Sequence, residues 1–257
     1  MTHLVSNEVM ALLAAALLGL VASAFGQAAW PTLRQELQKH KVDAAHLDDA
    51  DHQITSFAVD VDDHSFVIAY YWADNSSMLP TELRLRSLDR RTGIWRQKVF
   101  DADALRVGSV MNVARRGNWI YIDTHLTPSA GALLIVSKDL RRSRRVYGWT
   151  GLLLPDGRLV YHKSMVHFAP FHPGSVSLYD PNTDRDVRLY PVKPDPQGPV
   201  WKDRAILSVT AAGDGRIRIK AEEQDVTLTR DSRSQPKGPK RTLDVICHLA
   251  TRTPICR

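Results

Sequence analysis

Ring-bearing side chains dominate the stretch HKSMVHFAPFHPG, from residue 162 to residue 174. They belong to His162, His167, Phe168, Phe171 and His172. Neutral imidazoles bind zinc or copper, and three protein ligands leave a coordination position open. However, residues five apart on a strand point to opposite faces, and no carboxylate lies inside the stretch to orient a ligating ring. The pattern therefore favours a ligand-contact surface or plain loop packing over a metal site, and no cofactor is predicted.

Scattered carboxylates offer the second chemistry that the sequence allows. They are Asp60, Asp74, Asp123, Glu222 and Glu223. Two carboxylates across a central cavity could act as a glycosidase pair, together with His125, His162 or His167. The chain has no G-x-S-x-G, phosphate-loop, dinucleotide-binding or H-E-x-x-H motif. The sequence therefore favours a protein without catalytic chemistry, and a secreted hydrolase or lyase acting on a glycan is the alternative.

The chain has two cysteines, Cys247 and Cys256. An even pair in an exported chain favours a disulfide. A turn centred on Thr251 and Arg252 would place the two side chains directly opposite each other. Metal binding with His248 as a third ligand is the alternative, but no further ligands follow at metal spacing. The sequence predicts a disulfide that staples the last hairpin.

The N-terminus has the pattern of a secretory signal peptide over residues 1–29. An apolar run from Val9 to Val21 precedes small residues that suit cleavage after Ala24 or Ala29. The segment before the run has no Lys or Arg and carries Glu8, which would suit an uncleaved anchor, yet the run is short for a membrane span. We expect a secreted or periplasmic protein with no stable membrane span after cleavage.

The net charge of +6 favours anionic partners. For an exported protein these are cell-wall polymers, acidic glycans or lipid headgroups rather than nucleic acid. Two arginine runs contribute to the charge: Arg84, Arg86, Arg90 and Arg91, then Arg141, Arg142, Arg144 and Arg145. Because edge strands and turns commonly carry charge, both runs are predicted to be solvated rather than to form a site.

Two β-hairpins in the middle of the chain indicate the elements that position these side chains. The first folds at Pro155-Asp156-Gly157, where Pro presets φ and Asp-Gly tolerates a tight turn. The second folds at residues 180–184, DPNTD, where the carboxylate of Asp180 can accept backbone N–H bonds as an Asx-turn. Together they predict four short antiparallel strands.

The same unit recurs four times between Ile54 and Arg257. Its second hairpins are predicted at Leu83 to Phe100, Leu133 to Tyr147, Val176 to Tyr190 and Val245 to Arg257. Residues 88–93 (LDRRTG) and 179–184 (YDPNTD) share a strand that ends in Asp-x-x-Thr. These turns resemble the repeats of secreted β-propeller proteins. The resemblance implies an all-β, propeller-like domain of about four four-stranded repeats that serves as a binding or scaffolding module, and a β-sandwich is the alternative.

Segments outside the repeats are predicted as connections. Residues 30–53 are expected to form a short helix from Trp30 to Lys41 and an acidic linker before the domain at 54–257. A Pro-rich linker is expected from Lys193 to Trp201, and a mobile, basic loop from Thr229 to Arg241.

The longer loops of the four units are predicted to share one end of the sheets, because every second connection of an antiparallel meander leaves the same end. They are Tyr71 to Glu82, Asp123 to Gly131, Lys163 to Gly174 and Ala221 to Arg241. Function usually lies in such loops. Besides the ring-rich stretch, we expect Tyr71, Trp72 and His125 to contact a ligand there. The ligand is predicted to be a partner protein or an anionic polymer.

Overall fold

The computed structural model describes residues 29–43, 53–73, 82–101, 109–127, 130–163, 174–191, 200–228, 234–250 and 254–257. They belong to two compact units, residues 1–105 and residues 106–257. One helix and seventeen strands lie within the described residues, so the predicted all-β class is confirmed. None of the described helical residues forms a segment long and apolar enough to cross a membrane. The predicted signal peptide lies outside the described residues.

The first unit consists of one helix and one antiparallel sheet, sheet 1. The elements are α1 (Ala29–Lys39), β1 (Gln53–Val61), β2 (Ser65–Ala73), β3 (Glu82–Asp89) and β4 (Ile94–Asp101), with the strands in sequence order across the sheet. Leu33 and Leu37 lie on one face of α1 and are fully buried against alternate residues of β2, among them Phe66 and Ile68. The helix therefore covers one face of sheet 1. The predicted helix is confirmed, and it ends two residues earlier than expected.

The second unit contains three antiparallel sheets. Sheet 2 consists of β5 (Ser109–Arg116), β6 (Trp119–Thr127), β7 (Ala130–Ser137) and β8 (Ser143–Tyr147). Sheet 3 consists of β9 (Trp149–Leu153), β10 (Leu159–Lys163), β11 (Ser175–Asp180) and β12 (Arg185–Tyr190). Sheet 4 has β13 (Val200–Ala211), β14 (Arg216–Leu228), β16 (Arg241–His248) and β17 (Ile255–Cys256), with β15 (Ser234–Pro236) paired to β14. The four predicted repeats correspond to sheets 1 to 4.

A recurring hydrogen bond supports the equivalence of the sheets. In sheets 1, 2 and 4 the backbone N–H of the residue after the third strand donates to a carbonyl in the first turn. The donors and acceptors are Arg90 to His64, Lys138 to Asn118, and Leu249 to Gly215, at 2.9, 2.9 and 2.8 Å. In sheet 3 this position is Pro181, which has no N–H.

The two turns that the sequence predicted in sheet 3 form as expected. The Leu154 N–H donates to the Arg158 carbonyl at 2.8 Å, and Gly157 adopts φ +87° between them, a conformation that favours glycine. In the second turn the carboxylate of Asp180 accepts the N–H of Asn182 at 2.9 Å. Both β-turns and the Asx-turn are confirmed.

The core of the second unit lies on both faces of sheet 3. Because successive strand residues point to opposite faces, Leu159 and Tyr161 pack against sheet 2, and Val160 packs against sheet 4. The contact with sheet 2 is rich in aromatic residues: Trp119, Tyr121, Tyr161 and Tyr179. The contact with sheet 4 is mainly aliphatic: Val160, Val176, Leu178, Leu189, Ile206, Val209, Ile217 and Ile219.

The predicted disulfide is confirmed. Cys247 of β16 and Cys256 of β17 are directly opposite in the antiparallel register, and their sulfur atoms are bonded at 2.07 Å. Cys247 is fully buried in the core between sheets 3 and 4. The turn expected at Thr251 and Arg252 lies outside the described residues. The disulfide joins the last strand of the chain to sheet 4.

The prediction of solvated arginines is wrong for Arg84 and Arg86. Both lie on β3, which has a partner strand on each side, and Arg86 is only 7% exposed. The guanidinium of Arg84 lies 4.0 Å from the centroid of the Trp72 ring and donates to the Glu82 carboxylate at 2.8 Å. An aromatic face and a carboxylate compensate its partial burial, as a planar guanidinium allows.

The second arginine run is solvated as predicted, except for Arg145. Arg141 and Arg142 are exposed in the turn before β8, and Arg144 is exposed on β8, an edge strand of sheet 2. Arg145 is half-buried, with its guanidinium 4.9 Å from the centroid of the Tyr147 ring.

The loop predicted from Ala221 to Arg241 begins later than expected. β14 continues through Leu228, and residues 234–236 form β15 against it. Buried Ile217, Ile219 and Ala221 alternate with exposed Arg218 and Lys220, so the strand pattern already extends into the start of the predicted loop. The expected linker before sheet 4 also ends early, since Val200 and Trp201 already belong to β13.

Candidate functional site

The two ends of each sheet differ in the connections that leave them. The first and third connections of each sheet leave one end, called here the turn end. The second connection leaves the other end, called here the loop end. In sheets 2 and 3, the loop end is formed by the end of β6, the start of β7, the end of β10 and the start of β9.

Along one face of β6, the side chains change from aromatic to polar toward the loop end. Trp119 and Tyr121 pack against sheet 3, and the next two residues of the same face are Asp123 and His125. Both contact β9 of sheet 3, Asp123 through Thr150 and His125 through Trp149. We call Asn112, Asp123, His125, Trp149 and Thr150 the loop-end cluster.

Asp123 is half-buried and accepts hydrogen bonds from two neutral side chains. The Thr150 hydroxyl donates to its Oδ1 at 2.5 Å, and the Asn112 side chain forms the second bond. Burial raises the pKa of Asp123, and hydrogen bonds from the side chains of Thr150 and Asn112 and from the backbone N–H of Thr150 offset this only in part. No arginine or lysine among the described residues pairs with this carboxylate. Its negative charge therefore has no counter-charge in the described part of the chain.

Gly131 creates the space for Trp149, and Gly148 allows the close approach of the chain to β10. A Cβ on Gly131 of β7 would lie 2.7 Å from Cε3 of the Trp149 ring, and one on Gly148 would lie 2.7 Å from the His162 carbonyl oxygen. The Gly148 N–H donates to the Gly131 carbonyl at 2.9 Å. The ring of Trp149 thereby lies against sheet 2, with its centroid 5.4 Å from that of the His125 ring. Both rings are half-buried.

His162 lies on the opposite face of sheet 3 from Tyr161. It shares the face of Val160 and is directly opposite Val176 in the register, and both residues pack toward sheet 4. Its Nδ1 is buried without a hydrogen-bond partner among the described residues. Burial lowers the pKa of this imidazole. The structure therefore does not bring His125 and His162 together on one face.

Tyr71 and Trp72 lie at the end of β2 in the first unit. Tyr71 is fully buried, its hydroxyl has no partner among the described residues, and burial raises its pKa. Trp72 packs against the core beneath α1 and carries the guanidinium of Arg84 on its ring. These positions suit core packing more than ligand contact. The remaining expected contacts, His167, Phe168, Phe171 and His172, lie outside the described residues.

Glu223 forms a second polar cluster between sheets 3 and 4. It accepts hydrogen bonds from Nε of Arg204 and from the Tyr190 hydroxyl, the latter at 2.6 Å. Arg204 is 4% exposed and also donates to the Gly174 carbonyl at 3.2 Å. Every charge of this cluster is compensated, so it closes the contact between the two sheets.

Of the remaining candidate carboxylates, Glu222 is the one that lies beside another candidate, Glu223, within the described residues. Glu222 alternates with Glu223 on β14 and pairs with Lys240 at 3.6 Å. Together with Glu223 it lines a small pocket of about 30 Å³, whose wall also contains Asp203, Ala205, Gln224 and Lys240. Asp60 lies on β1 in the first unit, and Asp74 lies outside the described residues. No group of three or more His, Cys, Asp or Glu residues in the described segments could hold a metal ion.

Sequence reasoning did not identify Trp149, Thr150 or Arg204. The available signal for Trp149 was its position directly after Gly148 at the junction of two repeats, since a glycine beside a strand often marks a close backbone approach. Arg204 had no such signal, because its partners are distant in sequence.

No protein-family model matches the chain, and a search of curated proteins finds no similar sequence. The chemistry of the loop-end cluster therefore follows from its geometry.

Proposed function

We propose that the chain is an exported, β-propeller-like module that binds a partner through the loop end of its sheets and has no catalytic chemistry of its own. The loop-end cluster carries this proposal. A half-buried carboxylate, an indole and an imidazole lie together where two sheets meet, and binding sites combine such apolar walls with a few placed polar groups. The neutral donors Thr150 and Asn112 hold the carboxylate in place.

The repeated topology supports the propeller-like architecture. All four sheets are antiparallel with their strands in chain order, and in the second unit sheets 2, 3 and 4 pack face to face in succession. Consecutive four-stranded sheets of this kind are the building unit of propellers.

The disulfide supports export. Disulfides persist in oxidising compartments and are rare in the cytosol, and the bond between Cys247 and Cys256 is formed. The N-terminal pattern of residues 1–29 points in the same direction.

The separation of Asp123 from Glu223 favours binding over hydrolysis. Asp123 lies between sheets 2 and 3, whereas Glu223 lies between sheets 3 and 4 in an ion pair with Arg204. A glycosidase needs two carboxyl groups on opposite sides of one bond. Sheet 3 stands between these two.

Site-specific photo-crosslinking in exporting cells tests the proposal. We would replace His125 with the photoreactive residue p-benzoylphenylalanine, and Asp214, an exposed residue at the turn end of sheet 4, as the matched control. The expected result is a discrete crosslinked adduct from position 125 that Trp149→Leu abolishes, and none from position 214. Equal adducts from both positions, or none from position 125, would contradict a loop-end binding surface.

An anionic polymer is a second candidate ligand, and the edge of sheet 2 favours it. The side chains of Arg141 and Arg144 are 85% and 56% exposed, and Arg145 lies over the exposed ring of Tyr147. A cluster of exposed cations attracts polyanions in a salt-dependent way. The double substitution of Arg144 and Arg145 by Ala should lower the salt concentration needed to elute the protein from heparin. Arg218→Ala, which removes one exposed cation from sheet 4, is the control, and an equal shift in it would reject the edge of sheet 2 as the site.

A further inference from the structure

The charge balance of the loop-end cluster indicates what kind of ligand it lacks. Buried charges in proteins are normally paired, because transfer of an ionised carboxylate from water is costly. Glu223 follows this rule through Arg204. Asp123 does not, since its described partners, Thr150 and Asn112, are both neutral. A bound cation would supply the missing counter-charge.

Aromatic rings beside the carboxylate suit the same kind of ligand. The negative face of an indole attracts a cation within about 6 Å, and tryptophan is the best aromatic residue for this. Trp149 is half-buried and lies against His125 and Gly131, with the ring planes of Trp149 and His125 inclined by 43°. The cluster thus provides an aromatic wall that is not covered on all sides.

The spacing of these groups fits a small ammonium ion. Asp123 and His125 are two residues apart on one strand face, a separation of roughly 7 Å. Trp149 contacts His125, and its sequence neighbour Thr150 contacts Asp123. The indole therefore lies beside His125 and the carboxylate one two-residue step further along the same face of β6.

We propose that the loop-end cluster binds an organic cation, a primary or quaternary ammonium group, with Trp149 as the aromatic platform and Asp123 as the counter-ion. The inference rests on the proposed function and names the ligand chemistry of that surface. An anionic ligand would meet an uncompensated carboxylate at the same place. An inorganic metal ion would find a single carboxylate as its charged ligand, which is fewer than metal sites use.

Choline and its neutral isostere 3,3-dimethylbutan-1-ol test the proposal on the full chain. The two molecules have the same shape and differ in charge. We expect choline to perturb the tryptophan indole NMR signals and to bind at least about tenfold more tightly than the alcohol. Equal affinities, or no binding of choline, would overturn the proposal.

Two substitutions assign the effect to the cluster. Asp123→Asn is isosteric, so it should remove the preference for choline over the alcohol and keep the fold. Trp149→Leu should abolish binding of both. Asp156→Asn, in an exposed turn where Asp156 pairs with Arg158, is the control and should leave choline binding unchanged. A preference for choline that survives Asp123→Asn would remove Asp123 as the counter-ion.

The outcomes separate this inference from the proposed function. A crosslinked partner at position 125 together with no choline preference would retain the binding surface and reject a cationic ligand. Choline binding without any crosslinked partner would support the cation site and reject the binding of a macromolecular partner at this end.

Discussion

The two faces of sheet 3 make contacts of different kinds. Toward sheet 4 the contact is aliphatic, and at its loop end the buried pair of Arg204 and Glu223 compensates its own charge. Toward sheet 2 the contact is aromatic, and at its loop end Asp123 is half-buried beside neutral donors.

This difference separates stability from function within one unit. A compensated buried pair holds two sheets together, and the disulfide on the same side joins the last strand to sheet 4. An uncompensated carboxylate with a raised pKa costs stability, and natural proteins tolerate such groups mainly at functional sites. We therefore expect the contact of sheets 3 and 4 to be the stabilising one and the loop end of sheets 2 and 3 to be the binding one.

The largest expected effect is that of Arg204→Ala. It leaves Glu223 without its cation and removes the hydrogen bond to Gly174, and breaking a buried pair by removing one partner costs about 3 to 5 kcal/mol. Urea unfolding of the full chain measures it. Arg218→Ala is the control because Arg218 and its partner Asp244 are both half-exposed, and it should cost less than about 1 kcal/mol. Similar decreases in the free energy of unfolding of the two variants would show that the burial of Arg204 does not contribute to stability.

Removal of the disulfide should have the second largest effect. The bond closes a short loop with a sequence separation of 9, so Cys256→Ser should lower the free energy of unfolding by roughly 2 to 3 kcal/mol in the chain-entropy model. Cys247→Ser should cost more, because its hydroxyl would be buried. The double variant should be no worse than Cys247→Ser. Additive decreases in the free energy of unfolding of the two single variants would contradict the disulfide. Free thiols in non-reducing peptide maps of exported protein would contradict it as well.

Gly131→Ala tests the packing of Trp149. The added Cβ would lie 2.7 Å from the ring and 2.8 Å from the Gly148 carbonyl oxygen, so the ring and the strand junction must both move, at a cost of about 1 to 3 kcal/mol. Choline binding should be lost together with this shift, and calorimetry measures both. Gly238→Ala is the matched control because no atom lies within 4 Å of its added Cβ. Unchanged choline binding in Gly131→Ala would mean that the position of Trp149 is irrelevant.

The smallest expected effect is a gain in stability in Asp123→Asn, and it should depend on pH. Because burial raises the pKa of Asp123, its protonated form favours the folded state, and this contribution is lost as the pH rises through the raised pKa. Asn cannot ionise. The variant should therefore be more stable than the wild type at neutral pH, and the difference should shrink below the ordinary Asp range of about 4. A gain that does not vary between acid and neutral pH would exclude ionisation as its cause.

The sequence predicts the elements of this fold better than their contacts. The turn at Gly157 and the pairing of Cys247 with Cys256 depend on local turn chemistry and register, which are visible in the sequence. The burial of Arg84 depends on the ring of Trp72, twelve residues away, which local charge patterns do not reveal.

The candidate site was accessible to sequence reasoning only in part. Asp123 and His125 are identified as carboxylate and ring candidates, but the sequence does not show that His162 shares the face of sheet 3 that packs toward sheet 4, whereas His125 lies on the face of sheet 2 that packs against the other face of sheet 3. Trp149 was missed because the glycine that makes room for it, Gly131, belongs to the preceding sheet. Such contacts depend on how one sheet packs against the next, which the pattern of neighbouring residues in the sequence does not show.

The most direct test compares two isosteric substitutions, one in the contact between sheets 3 and 4 and one in the contact between sheets 2 and 3. Urea unfolding of Glu223→Gln and Asp123→Asn at neutral pH would compare the removal of one negative charge from each contact. We predict opposite signs: Glu223→Gln leaves the buried cation of Arg204 uncompensated and should cost about 3 to 5 kcal/mol, whereas Asp123→Asn should raise the unfolding midpoint. Midpoints that move in the same direction would contradict the assignment of stability to one contact and of ligand binding to the other.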